Sequence, residues 1–292
     1  MSQPNTQDNF KAIALALLAF SAFSFSDGLR KLESQSYEVL DILFWQAVFG
    51  MGLMLVLSPF LGGIKSLWKT QGQKWHMARG SMMALNTCLS LYVLSELPMV
   101  DAYTIYFLSP FVTCLLGIIL FQEKIGLYRW LSILGGFSGV VIAFRPGYEE
   151  INIIHLLAFT CCFTFAFSNI FARYAGRQSA LISFGFWPFF FTAIGIFIFK
   201  GGTIEYYNQV FLLSCLFIGM FYGFALITIA YAFTLGDTSM VSPFQYVQLI
   251  FAISLGYILF GDAPDTLKIT GAFITAGSGI FFFQRIKSVK KA

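Results

Sequence analysis

The sequence predicts an all-α integral membrane protein: ten transmembrane helices arranged as two inverted five-helix repeats, with both termini cytoplasmic. Three observations predict it. First, 58% of the 292 residues are hydrophobic and only 11% are charged. Nearly the whole length falls into apolar runs of about 20 residues, the helix length that crosses ~30 Å of hydrocarbon. Second, the cations divide unequally once spans are set at 10–31, 38–61, 77–95, 99–121, 127–145, 152–173, 180–200, 209–234, 239–261 and 266–285. One face takes Lys11, Lys65, Lys69, Lys74, Arg79, Lys124, Arg129, Arg173, Arg177, Arg285, Lys287, Lys290 and Lys291; the other takes Arg30, Lys31, Arg145, Lys200 and Lys268. The richer face belongs in the cytoplasm. Third, the second half repeats the first. Phe25-Ser26-Asp27 corresponds to Phe167-Ser168-Asn169, and Phe44-Trp45 to Phe186-Trp187. With one shift of register, Gly80 then corresponds to Gly219, Tyr92 to Tyr231, and the run Gly117–Glu123 to Gly256–Asp262. Five spans is an odd number, so the second copy enters the bilayer upside down, a plan that recurs in secondary transporters. Pro146-Gly147 marks the boundary. The expected units are 10–147 and 148–286, followed by a basic tail at 287–292.

Span one opens after a polar stretch, MSQPNTQDNF, without the charged n-region of a cleaved signal peptide; it is expected to stay as a signal-anchor. Ser21, Ser24 and Asp27 share one side of it. Asp27 reads either as an interfacial carboxylate beside Arg30 and Lys31 or as a cavity-lining group, because a polar side chain in hydrocarbon marks function by default. Span two carries Trp45 and Gln46. The basic loop that follows, 62–76, reads as a segment touching anionic headgroups.

Span three brings Arg79 near its cytoplasmic end and Asn86 at its middle. The expectation for Arg79 is snorkelling to the interface, with an anion contact as the alternative. Span four holds Asp101, Tyr103, Thr104, Tyr106, Ser109 and Pro110. Pro110 removes a backbone donor and frees the carbonyl of Tyr106, which lipid forbids unless a cavity or a neighbour satisfies it. Span five carries Gly135-x-x-x-Gly139. Span six repeats span one with Asn169 at the position of Asp27, and span seven places Trp187 at the position of Trp45. Span eight carries Gly219-x-x-x-Gly223, and both small-residue patterns read as close helix packing within the chain, with a homodimer face as the rival. Span nine is the second polar-rich span, with Ser239, Ser242, Pro243, Gln245, Tyr246 and Gln248. Span ten, 266–285, closes the second unit.

The five cysteines all lie in apolar spans without metal-ligand spacing, so they read as small core residues; Cys161 and Cys162 are adjacent and expected to point different ways. Most aromatics read as lipid-facing or core, with Trp68, Trp75 and Trp130 in an interfacial belt. His76 and His155 are the only histidines, and the chain has no HExxH, GxSxG or P-loop. These absences argue against an enzyme and against ATP-driven pumping. No cofactor, no metal and no nucleic acid is implied.

These residues resemble the EamA-type members of the drug/metabolite transporter superfamily. The resemblance rests on Glu123 with Gly135-Gly136-Phe137-Ser138-Gly139, on Asp262 with Gly271 and Gly277-Ser278-Gly279, and on Ser242-Pro-Phe-Gln-Tyr-Val-Gln248. Asp27-Gly-Leu-Arg-Lys31 and His76-Met-Ala-Arg-Gly80 resemble a subgroup that includes bacterial S-adenosylmethionine uptake transporters. In that subgroup an Arg commonly stands where this chain has Gln46, and an acidic residue where it has Gln248. The resemblance implies a ten-span secondary carrier of a small organic metabolite in a bacterial inner membrane, S-adenosylmethionine-like or amino-acid-like in its substrate. Asp27, Gln46, Asn86, Tyr106, Asn169, Tyr246 and Gln248 are the expected substrate contacts. Its partners would be the lipid bilayer, the solute and a coupling ion or proton. The rival reading is a membrane interaction protein that keeps the fold and transports nothing.

Overall fold

A computed structural model describes residues 6–70, 72–122, 126–144, 152–262 and, from 265 to 278, all but 268, 272, 275 and 276. The boundary at 147–148, the tail 287–292 and most of the tenth span lie outside the described residues. Every regular element among the described residues is helical. Seven of these helical stretches are long and apolar enough to cross a membrane.

The helices are α1 (Thr6–Glu33), α2 (Val39–Val56), the short α3 (Ser66–Lys69), α4 (Gln73–Glu96), α5 (Met99–Tyr106), α6 (Ser109–Phe121), α7 (Leu127–Phe144), α8 (Ile153–Ala175), α9 (Leu181–Phe199), α10 (Gln209–Leu235), the short α11 (Thr238–Val241) and α12 (Val247–Phe260). Their ends follow from local chemistry. Asn152 starts α8 in a reciprocal capping box with His155, and Asn208 caps α10 by accepting from the Phe211 amide. Such side chains satisfy donors that a helix N-terminus leaves open. Gly261, at φ 70°, ends α12 in the left-handed conformation that glycine adopts without cost.

Two expected spans are not continuous helices. Span four breaks at Phe107–Leu108 between α5 and α6, where Pro110 enters the first turn of α6. Span nine begins as α11, tightens into a 3₁₀ turn over Ser242–Tyr246 around Pro243, and resumes as α12. Each proline withdraws a backbone donor and crowds the preceding turn. The carbonyl freed by Pro110 is satisfied from the other half of the chain, where the Gln245 Nε2 donates to Tyr106 O at 3.4 Å.

Packing is most extensive between α1 and α10 and between α4 and α8, followed by α2 with α9, α4 with α9 and α2 with α10. The Gly219 pattern serves close packing inside the chain: a Cβ added at Gly219 would stand 2.8 Å from the Gln46 carbonyl oxygen, and one at Gly223 2.8 Å from the Met54 side chain.

Two polar clamps close the ends of the bundle. At one end, Lys200 just past α9 bonds Asp41 at 2.7 Å and Glu38 at 2.8 Å, and Tyr207 donates to Asp41 at 3.0 Å. At the other, Arg177 pairs with Asp8 at 3.0 Å and donates to Leu235 O, which caps the C-terminal carbonyls of α10.

Candidate functional site

A cavity of about 50 Å³ lies among α1, α4, α5, α8, α10 and the broken ninth span. Its position follows from the elements just described. The breaks in spans four and nine turn Tyr103, Tyr106, Ser109, Gln245 and Gln248 toward a common space, and the facing stripe of α4 adds Met83, Asn86 and Ser90 at helical spacing.

One wall is an ionic cluster. Asp27 accepts from Arg30 Nη1 at 2.9 Å and from the Tyr103 hydroxyl at 2.6 Å. Arg30 Nε donates to Gln46 Oε1 at 2.7 Å, and its guanidinium carbon lies 3.9 Å from the Tyr222 ring centroid. Tyr222 in turn shares a hydrogen bond with Thr87. The Arg30 side chain is 1% exposed and that of Asp27 13%. Burial of both charges is tolerable only because each meets an opposite charge and further hydrogen bonds.

The opposite wall is neutral. Asn86 Nδ2 donates to Cys161 O at 2.9 Å and to Thr164 Oγ1 at 3.0 Å. Tyr106 donates to Ser90 O, and Ser109 donates to Gln245 Oε1 at 3.3 Å. Gln248 completes this wall with its side-chain amide, buried at 5% exposure.

Of the seven residues singled out by sequence, Asp27, Asn86, Tyr106 and Gln248 line this cavity. Gln46 does not line it but grips Arg30, which does. Asn169 and Tyr246 stand elsewhere. Asn169 is 1% exposed, one turn of α8 beyond the lining residue Phe165, and neither amide atom has a hydrogen-bond partner. Tyr246 packs on Phe107 with ring centroids 5.5 Å apart and fills the notch over Gly136.

Several lining residues were not among the expected substrate contacts. Arg30 was counted among cations of the outer aqueous face, yet it is buried in the site. Tyr103, read from sequence as part of the polar set of span four, and Tyr222, read as an aromatic beside polar positions, hydrogen-bond within the cluster. Cys161 and Cys162 both line the cavity, and the Cys162 thiol donates to Ile105 O at 3.2 Å. Arg79 does not snorkel: it is 1% exposed and donates to Phe184 O and to Leu226 O at 3.0 Å. The aromatics Trp45 and Trp187 stay out of the cavity; Trp45 donates to Glu205 O in a connecting loop, and Trp187 meets Trp68 edge-on at 5.4 Å.

A bundle of apolar helices around a buried polar cavity defines a multi-pass membrane protein that handles a small solute. Comparison with known proteins gives the family. The EamA-like transporter family model matches residues 10–145 and 152–284, and the chain belongs to that family. It is 26% identical over 277 residues to the S-adenosylmethionine uptake transporter of Rickettsia bellii, covering 94% of this chain and 93% of the relative. It is 25% identical to the riboflavin transporter of Vibrio cholerae, covering 79% of each chain. It is 22% identical to the pseudopaline exporter of Pseudomonas aeruginosa, covering 90% of this chain and 92% of that one. A solved structure 15% identical in sequence superposes with a TM-score of 0.71 over 97% of this chain and 98% of its own, which speaks to the fold alone. The protein is therefore a small-molecule transporter, not an enzyme, and a multi-pass integral protein of the bacterial inner membrane.

Proposed function

We propose that this chain is a secondary carrier that moves a small organic metabolite by alternating access around the cavity at Asp27 and Arg30. The observation that carries the reading is this buried ion pair lining a cavity between apolar helices: an expensive arrangement in hydrocarbon, and one that marks a solute path. The architecture proposed with it is two inverted five-span units, 10–147 and 148–286, with both termini and the tail 287–292 in the cytoplasm. Three facts support that architecture. The family model matches the chain twice, once in each proposed unit. The helix pairing keeps its form when the units are exchanged, α1 on α10 mirroring α8 on α4, and α12 on α1 mirroring α6 on α8. Gln245 also bonds the carbonyl of Tyr106, its counterpart in the repeat, and a residue can touch its own counterpart only near a pseudo-two-fold axis.

Two near-equal halves give two near-equal closed states, so a few kcal/mol of differential binding suffices to exchange them. The proposed solute contacts are Asp27, Asn86, Tyr106 and Gln248, with Gln46 acting through Arg30 and with Asn169 and Tyr246 entering in the opposite-facing state. A proton or ion gradient is the proposed driving force. The proposed solute is S-adenosylmethionine-like or amino-acid-like, and the relatives named as S-adenosylmethionine uptake transporters support the first. The test compares metabolite pools in cells with and without the gene, then measures flux of the leading candidate in proteoliposomes. Gradient-driven flux that is lost in Gln248→Leu supports the reading. Purified protein that folds yet carries none of the metabolites whose pools change would refute it.

A further inference from the structure

Two buried donors of the ionic cluster have no hydrogen-bond partner: Arg30 Nη2, on a side chain that lines the cavity, and Gln46 Nε2, on one that does not. Both belong to the same hydrogen-bonded pair, since Arg30 Nε donates to Gln46 Oε1. A planar guanidinium presents Nε–H and one Nη–H₂ along a single edge, the fork that matches the two oxygens of a carboxylate. Asp27 takes Nη1, so the half-used fork lies on the other side of the group. Tyr222 holds the guanidinium from its face. Orphaned buried donors are costly, and each calls for a partner that the protein alone does not supply.

We propose that Arg30 Nη2 forms a carboxylate subsite in the cavity, with Gln46 holding the guanidinium in place through Nε. This assignment rests on the carrier reading and deepens it by naming one group the solute must carry. The electrostatics agree. Asp27 and Arg30 cancel, so the empty cavity is close to neutral, and a carboxylate entering alone would leave one buried net charge. A solute that brings a cationic group with its carboxylate avoids that penalty. Each Asp27 oxygen accepts one protein bond and retains a lone pair for such a group. Gln46 acts as a positioning residue: its Oε1 takes Nε while Asp27 takes Nη1, which together fix the guanidinium plane.

The test uses matched probes on the purified full chain in detergent. S-adenosylmethionine, L-methionine and L-tryptophan are each set against the amine that lacks only the carboxylate, and affinity is read by thermal shift. The expected result is that the carboxylate member of at least one pair binds more tightly by about tenfold or more, the worth of a charge-assisted hydrogen bond. That preference should shrink in Gln46→Leu and nearly vanish in Arg30→Lys, which keeps the charge and loses the fork. Amines that bind as well as their parent acids overturn the subsite, and so does a preference unchanged in both variants. A complete lack of shift with all six probes also overturns it, while flux of a carboxylate-free metabolite in proteoliposomes would leave the carrier reading standing. Should Arg30→Lys fail to fold, the wild-type preference and Gln46→Leu still decide.

Discussion

Arg79 Nη1 donates to the carbonyl oxygen of Phe184, the carbonyl whose own helical donor is missing because Pro188 stands four residues on. A proline inside a helix leaves that oxygen orphaned, and in a bilayer no water is at hand to satisfy it. The guanidinium of α4 therefore closes a gap in the hydrogen bonding of α9, and its burial follows from that.

This relationship predicts a non-additive pair. In Pro188→Ala the new amide can bond Phe184 O from within α9. That gain should be small while Arg79 is present and larger by about 1–3 kcal/mol in the Arg79→Met background, where the oxygen is otherwise unpaired. A double-mutant cycle read by unfolding in detergent measures it. Additivity within about 0.5 kcal/mol would mean that the two features are independent.

A second prediction concerns close packing. A Cβ at Gly219 would meet backbone, the Gln46 carbonyl oxygen at 2.8 Å and the Gly50 nitrogen at 3.1 Å. Backbone cannot rotate aside, so Gly219→Ala should destabilise by about 1–3 kcal/mol. It should also disturb binding, because the strand of chain it displaces carries Gln46. Gly52 has open space around it, and Gly52→Ala is the control, expected to melt within a degree or two of wild type or slightly above it.

Tyr246 gives a third test. Its hydroxyl is buried without a partner, and its ring lies outside the cavity lining. Tyr246→Phe should leave stability unchanged or slightly raised, since an unsatisfied hydroxyl is lost. Gly136→Ala should be poorly tolerated, because its Cβ would fall 2.3 Å from the Tyr246 ring. Uptake that falls in Tyr246→Phe at normal expression would show that the hydroxyl meets the solute in another state.

The apolar runs made the helices legible, and Pro110 marked where one of them yields; the tightening around Pro243 was not read from the sequence. The polar character of spans four and nine was legible for the same reason: Tyr106 and Gln248 have no business in lipid. Arg30 was not legible. A cation near a span end satisfies the topology rule whether it points to water or inward, and only the neighbouring helix carrying Gln46 decides which. Arg79 was illegible for a related cause, since its partner carbonyl is more than 100 positions away. Asn169 was placed by the repeat, but a repeat gives depth in the membrane and says nothing of which half is open.

The clamp at Lys200 predicts a pH response. Burial works against its charge, but hydrogen bonds to Asp41 and Glu38 and their negative charges outweigh this and raise its pKa above the ordinary 10.5. Burial, then the hydrogen bond to Asp41, pushes the Tyr207 phenol up to about 12. Both folded values lie above the unfolded ones, so the contribution is complete below pH 10 and is lost as pH rises through the raised values. The melting difference between wild type and Lys200→Gln should therefore hold constant from pH 6 to pH 9 and shrink only above pH 10.5. A difference that changes near neutrality would mean that another group titrates within the clamp.

The ion pair itself allows stability and transport to be separated. Asp27→Asn leaves the Arg30 guanidinium, 1% exposed, without a carboxylate beside it. Breaking a buried pair from one side typically costs about 3–5 kcal/mol, because a charge is stranded away from water. Replacing both partners by neutral groups of similar shape is far less costly, for the desolvation penalty disappears with the charges. Asp27→Asn should therefore melt well below wild type, and Asp27→Asn with Arg30→Gln should recover most of that loss. Flux in proteoliposomes should follow a different order, absent in the single variant and still absent in the stable double variant, because the groups that hold the solute are gone. If the double variant regains both stability and flux, the pair only staples α1 in place, and the solute must be held by the neutral wall of Asn86, Tyr106 and Gln248.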